Sequence, residues 1–329
     1  MMTACRTLLI LSMVLLIFAS CDKDYNKPLL DIYIAWEETE LLIGDEVYFE
    51  VRYYPDGASK NIPKTPVVWS IGDTTIASID QHGHLVAKYY GTTEVTAQLG
   101  GFTAHKRVRV NTIIEVEDAA FQALLNKRFD KNNDGMVEGL EIEDIVGLDI
   151  SELSTYSKPV SLRGLELFGR LTYLKISAVN ISYLDLSQFS ELKELDISQS
   201  IISSLDVSQL NQLKVLDCHA CSNLKTLTIG DINEYEPNKL EVLNVARCSI
   251  SELNLSRCKK LEYIDCSDNN LTSLNLSASP KISQITCNNN KIDYVYIPDI
   301  NLETLKTLVL DEWTHLIVIP NSEEDEQQD

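Results

Sequence analysis

The stretch Leu261–Lys281, LEYIDCSDNNLTSLNLSASPK, decides the fold. Its positions 1, 4 and 6 are apolar (Leu261, Ile264, Cys266), and a second triplet, Leu271, Leu274 and Leu276, begins ten residues later. The pattern repeats from Leu171, Leu192, Leu213, Leu240, Leu261, Ile282 and Leu305, at steps of 21, 21, 27, 21, 21 and 23 residues. A unit this short cannot bury its leucines alone, so neighbours must stack and share one core. At about 4.8 Å per strand, seven rungs predict a wall of roughly 30 Å.

The L-x-x-L-x-L core and its period resemble the bacterial 21-residue class of leucine-rich repeats, over Leu171–Pro320. The resemblance implies a flattened parallel coil in which both halves of each unit run extended. Residues 148–170 read as a degenerate leading unit, so the repeat domain is 148–320. The longer step between Leu213 and Leu240 predicts a loop near Ile232–Pro237, a place where binding residues often sit.

Outward positions follow from the inward ones. Position 3 carries Tyr173, Glu194, Val215, Val242, Tyr263, Gln284 and Thr307. Position 5 carries Lys175, Asp196, Asp217, Asn244, Asp265, Thr286 and Val309. Tyr173, Val215, Val242, Tyr263, Asp196, Asp217 and Asp265 are the candidate partner-binding residues. Like charges on neighbouring rungs repel, so the aspartates suggest a cation or a basic partner.

Upstream lies a loop with metal-ligand spacing. Asp130, Asn132, Asp134, Gly135 and Glu141 satisfy D-x-[DN]-x-[DN]-G-x5-E. Hard oxygens at this spacing suit Ca²⁺, which takes six to eight of them. Asp130, Asn132 and Asp134 would supply side-chain oxygens and Met136 its carbonyl. Glu138 would act directly or through water, and Glu141 through both oxygens. Val137 should turn inward. Apolar residues at helical spacing in Glu117–Arg128 precede the loop, and Glu141–Val146 reads as a short exit helix weakened by Gly139. Residues 113–147 thus resemble a single EF-hand, which implies one structural Ca²⁺.

Residues 29–112 show short alternating strands with turn signals and no helical period. Val47, Phe49, Val51 and Tyr53 share one face, Val67–Ser70 reads as a buried strand run, and Trp69 has the size to anchor a core. His82 and His84 flank Gly83 and read as solvated turn residues. The run VVWSIGDTTIASIDQHGHLVAKYYGTTEVTA resembles the group 2 bacterial immunoglobulin-like domain. That resemblance implies a β-sandwich serving as a spacer or adhesive unit.

Leu8–Phe18 is an apolar run behind Arg6, short for a bilayer span. Phe18-Ala19-Ser20-Cys21 resembles a bacterial lipobox, which implies removal of residues 1–20 and acylation of Cys21. Residues 21–28 would be a linker. Asp22-Lys23-Asp24 resembles the acidic signal that sends Bacteroides-type lipoproteins to the cell surface, the periplasmic side of the outer membrane being the alternative. Residues 321–329 form an acidic tail, expected to be disordered.

The chain has 329 residues, 44% apolar and 23% charged, with 49 acids against 28 lysines and arginines and a net charge of −21. This excess argues against nucleic acid, whose binders show a basic patch. It also argues against a polybasic grip on lipid. Eight cysteines are present. Cys218, Cys266 and Cys287 fall at inward position 6. Cys221 and Cys248 fall at position 9 with Asn269 and Asn290, and the spacing allows either a pair or two thiols. The Cys218/Cys221 spacing has neither a second CxxC nor a histidine pair to suit zinc.

No G-x-S-x-G, H-E-x-x-H or P-loop motif is present. The fold expected is multi-domain and mainly β: an Ig-like sandwich, a helical EF-hand-like segment and a parallel solenoid. The function expected is a monomeric, lipid-anchored, non-enzymatic surface protein that binds a protein or glycan. An accessory glycan-capture lipoprotein of a polysaccharide-uptake system is the alternative, and a hydrolase hidden in the repeats the remote one.

Overall fold

The computed structural model describes residues 27–36, 40–155, 158, 160–230, 238–299 and 305–320. Cys21, the leader, the loop around Ile232–Pro237 and the acidic tail lie outside the described residues. Two compact units divide the chain, one comprising residues 1–88 and 92–109 and the other residues 89–91 and 110–329.

The first unit is built of short strands. A four-stranded sheet has the order Glu40–Leu42, Phe102–Asn111, Gly91–Leu99, Val68–Ile71. Ala77–Ile79 and Glu46–Tyr48 flank His84–Ala87 in an antiparallel sheet. The alternation seen in 47–53 holds, with Phe49 buried and Tyr48, Glu50 and Arg52 exposed. One strand does not carry it, however. Glu46–Tyr48 pairs with 84–86, whereas Glu50–Tyr54 pairs with Asp31–Ala35. The chain changes partners at Phe49, whose ring meets Trp36 at 5.2 Å and Trp69 at 6.2 Å.

The run Val67–Ser70 is not buried throughout as its apolar residues suggest. Trp69 is buried, but Val68 is 49% exposed, because the two lie on opposite faces of a strand. His84 stacks on Tyr48 and its Nε2 lies 3.0 Å from Glu46 Oε2, so this turn histidine has a carboxylate partner.

In the second unit eight three-residue strands form one parallel sheet. Their order is Gly147–Asp149, Tyr173–Lys175, Glu194–Asp196, Val215–Asp217, Val242–Asn244, Tyr263–Asp265, Gln284–Thr286 and Thr307–Val309. Each strand is in register with the next at the same repeat position, as with Leu195 opposite Leu216 and Leu243 opposite Ile264. From the rung of Leu171 to that of Ile282, positions 1, 4 and 6 are all at most 4% exposed. One core therefore runs through the stack, and each rung buries its leucines between two others.

The last rung departs from this. Leu308 holds inward position 4 yet is 40% exposed. Among the described residues no further rung covers it. The second halves of the repeats also differ from an unbroken extended row. Ser204–Asp206 pairs with Thr226–Thr228, and Leu274–Asn275, Tyr294–Pro298 and His315–Ile319 form a separate three-stranded sheet.

Candidate binding face and calcium loop

Position 3 residues stand side by side on the eight-stranded sheet: Tyr173 opposite Glu194, then Val215, Val242 and Tyr263, followed by Gln284 and Thr307. Tyr173, Val215, Val242 and Tyr263 are all half-buried. Three of them, Val215, Val242 and Tyr263, are contiguous and make one apolar strip. Partial burial raises the phenol pKa of both Tyr173 and Tyr263. At neutral pH both rings thus carry O–H donors.

The position 5 aspartates have a nearer cause than a cation. Asp196 Oδ1 accepts from Ser198 N at 2.9 Å and Ser198 Oγ at 2.6 Å. Asp265 Oδ1 does the same with Ser267, at 3.0 and 2.6 Å. Asp217 Oδ1 accepts from His219 N at 2.9 Å, with His219 Nδ1 also at 2.9 Å. A side-chain acceptor two residues before a bare N–H closes the turn that leaves each strand. Lys175 Nζ lies 3.3 Å from Asp196 Oδ2, and this bond raises the lysine's pKa. The aspartate column therefore does not by itself require a cation or basic partner.

The same device recurs where no binding residue was expected, at Asp149/Ser151, Asp185/Ser187, Asp206/Ser208, Asn254/Ser256 and Asn275/Ser277. Its signal at these positions, an Asp or Asn two residues before Ser around the last residue of an apolar triplet, is visible in the sequence.

Position 9 lines the inside of the turn. Asn269 Nδ2 donates to Val245 O at 2.7 Å and its Oδ1 accepts from Ile250 N at 2.9 Å. Asn290 repeats this one rung on, with Cys266 O and Leu271 N at 2.9 Å each. At earlier rungs Cys221 and Cys248 donate their S–H to Ile197 O and Cys218 O, at 3.1 and 3.2 Å. Cys218, Cys221, Cys248, Cys258, Cys266 and Cys287 are all unpaired and buried. The residue before position 9 takes positive φ in the six rungs from Leu171 to Ile282: Ala178, Gln199, Ala220, Arg247, Asp268 and Asn289 lie between +55° and +61°.

The helix preceding the calcium-type loop is Ala119–Phe129, capped by Asp118, whose Oδ1 accepts from Ala120 N and Phe121 N. Val137 is fully buried, and its carbonyl accepts from Ile114 N at 2.9 Å. The loop thus pairs with the chain just before the helix, through the Ile113–Glu138 bridge. The exit helix begins at Gly139, not at Glu141, and spans Gly139–Ile142 behind a Glu138/Glu141 capping box. Gly139 is needed there: a Cβ would lie 2.5 Å from Tyr90 Cγ.

The candidate oxygens are gathered on the loop's own N–H groups. Asp134 N donates to Asn132 Oδ1 at 2.9 Å and Asp130 Oδ1 at 3.2 Å, so those two acceptors converge. Glu141 is buried, with Oε1 accepting from Lys131 N at 2.7 Å and Oε2 from Glu138 N at 3.1 Å. Asp134 Oδ1 accepts from Met136 N at 2.9 Å, and Asn111 Nδ2 donates to Glu138 Oε2 at 3.1 Å. Gly135 supplies the bend at φ +90°. The donor set is oxygen only, as Ca²⁺ prefers, although among the described residues no group of three or more His, Cys, Asp or Glu is close enough to hold a metal.

No family model and no curated protein matches the chain. Among solved structures it is similar to the functional domain of InlJ from Listeria monocytogenes, which includes a cysteine ladder, at 19% identity and TM-score 0.28 over 56% of this chain and 55% of that one. The leucine-rich repeat domain of APL1B matches at 14% identity and TM-score 0.26, over 46% and 53%. An intimin mutant of EHEC O157:H7 matches at 13% and 0.20, over 30% and 55%. The matches span about half of each of those chains. The eight in-register rungs carry the architecture themselves: this is a mainly β protein with a leucine-rich-repeat-like parallel solenoid.

Proposed function

We propose that the protein is a non-enzymatic binding protein, held at the outer membrane surface by acyl chains on Cys21 and recognising a macromolecular partner through its eight-stranded face. The observation that supports this is the contiguous strip Val215, Val242 and Tyr263, with Tyr173 two rungs before Val215 on the same column. Aromatic and apolar groups in the middle of a flat, rigid surface, rimmed by charges, are what interface hot spots use. In this reading the first unit is an immunoglobulin-like spacer, and a structural Ca²⁺ at Asp130, Asn132, Asp134, Met136, Glu138 and Glu141 steadies the first end of the repeats.

The test is surface plasmon resonance of the protein over immobilised fibronectin, laminin, collagen and mucin. Binding to at least one is expected, weakened about tenfold or more by Tyr173→Ala with Tyr263→Ala, and by Val215→Asp with Val242→Asp. Undiminished binding by both double variants rejects the face, and binding to none of the four rejects adhesion to matrix.

A further inference from the structure

A second surface of the repeat unit has the makings of a small-molecule site. A cleft of about 510 Å³ lies between residues 160–166 and Ser182–Asp185. Small-molecule sites occupy about 300–1,000 Å³. Ser182–Asp185 belongs to the second half of its repeat, away from the strand column that carries Tyr173.

The cleft combines an apolar base with a polar rim. Leu165 is buried, Leu162 and Leu184 are half-buried, and Tyr183 stands 75% exposed beside them. Around this ring are Arg163, Glu166 and Asp185. Arg163 Nη1 is paired with Glu117. Glu166 Oε2 accepts from Gly164 N at 2.8 Å, and Asp185 Oδ1 from Ser187 N at 2.9 Å. These bonds fix where the carboxylates point. The bond from Ser187 also lowers the pKa of Asp185, keeping it ionised and an acceptor.

That lining selects a ligand class by exclusion. An anion would meet two carboxylates at close range, and a small cation, though drawn to them, would leave the Tyr183 ring and the leucine base uncovered. A wholly apolar molecule would strip water from three charged groups without returning hydrogen bonds. A neutral polyhydroxyl ring avoids all three costs. Its C–H face covers an aromatic ring, and its hydroxyls both accept from Arg163 and donate to Asp185 or Glu166.

We infer that this cleft is a saccharide site, in which Tyr183 stacks on a neutral sugar ring while Arg163 and Asp185 hydrogen-bond its hydroxyls. The site is separate from the eight-stranded face and does not depend on what that face binds.

Saturation-transfer NMR on the protein with cellobiose, maltose, lactose and chitobiose tests it, with N-acetyl-lysine amide and inorganic phosphate as the cationic and anionic comparisons. Transfer to at least one disaccharide is expected, lost in Tyr183→Ala and kept in Tyr183→Phe. Asp185→Asn, whose Oδ1 can still accept from Ser187, should weaken it about tenfold. Tyr183 is exposed, so an unchanged urea midpoint should accompany its substitution. Tyr173→Ala with Tyr263→Ala should leave the sugar signal intact. Absence of transfer from all four sugars, transfer that survives Tyr183→Ala, preference for the lysine derivative or phosphate, or loss of the signal in the face double variant would each overturn the assignment.

Discussion

Asn269 Oδ1 accepts the backbone N–H of Ile250 at 2.9 Å, tying each to a residue 19 positions away along the chain and one rung away in space. Its Nδ2 also serves the carbonyls of Val245, Cys266 and Ser267. One amide therefore satisfies several buried backbone groups that the turns leave bare. Asn269→Ala should cost about 2–4 kcal/mol, because those groups stay buried without partners. Urea unfolding measures it, and a loss below that of Cys221→Ala, where one weak S–H donor is removed, contradicts the role.

The six rungs from Leu171 to Ile282 each pass through a left-handed residue, a conformation costing an L-residue about 1 kcal/mol that glycine does not pay. Ala178→Gly and Ala220→Gly should each raise the urea midpoint, by a gain of about 0.5–1 kcal/mol. Ala77→Gly, at a buried strand position in the first unit, should lower it. A fall on both left-handed substitutions would show that the lost methyl contacts outweigh backbone strain.

Burial pushes the thiols of Cys248 and Cys287 up to about 12 and raises Cys218, Cys221, Cys258 and Cys266 in the same direction. Native protein at pH 8 should thus resist iodoacetamide, while urea-unfolded protein alkylates at all six. The unfolded chain ionises these thiols near pH 9 and the folded one only at higher pH, near 12 for Cys248 and Cys287. Stability is therefore intact below pH 9 and falls across pH 9–12. Urea midpoints at pH 8, 9.5 and 10.5 read this, and a midpoint that does not fall between 8 and 10.5 refutes it.

Calcium should bind the loop with a Kd of about 10⁻⁴–10⁻³ M, as in extracellular modules. Isothermal calorimetry on the parent should show one site, absent in Asp130→Ala and weakened in Glu141→Gln. Equal heats in parent and Asp130→Ala would remove the site.

Much of the repeat unit is legible in its residues because stacking imposes the same demand every 21 positions. Positions 1, 4 and 6 must be apolar in each rung, so seven copies report one constraint. The first unit is less legible. Nothing local in Val47–Tyr54 says that the strand changes partners at Phe49, a choice made by distant strands. Gly139 reads as a weak helix start, and only the approach of Tyr90 shows why no side chain fits there. The aspartate column misleads for a related reason. Its charges are evident, but the N–H groups that hold them appear only once the turns are drawn.

The sequence alone determined that there are rungs, which residues face inward, and which oxygens lie at calcium spacing, since each follows from a short-range period. Tertiary structure decided which strands are neighbours in the first unit, that Leu308 is left half-covered, and that 160–166 meets Ser182–Asp185 to form a cleft around Tyr183. Those outcomes depend on contacts between segments whose separation carries no period, and a one-dimensional pattern holds no record of them.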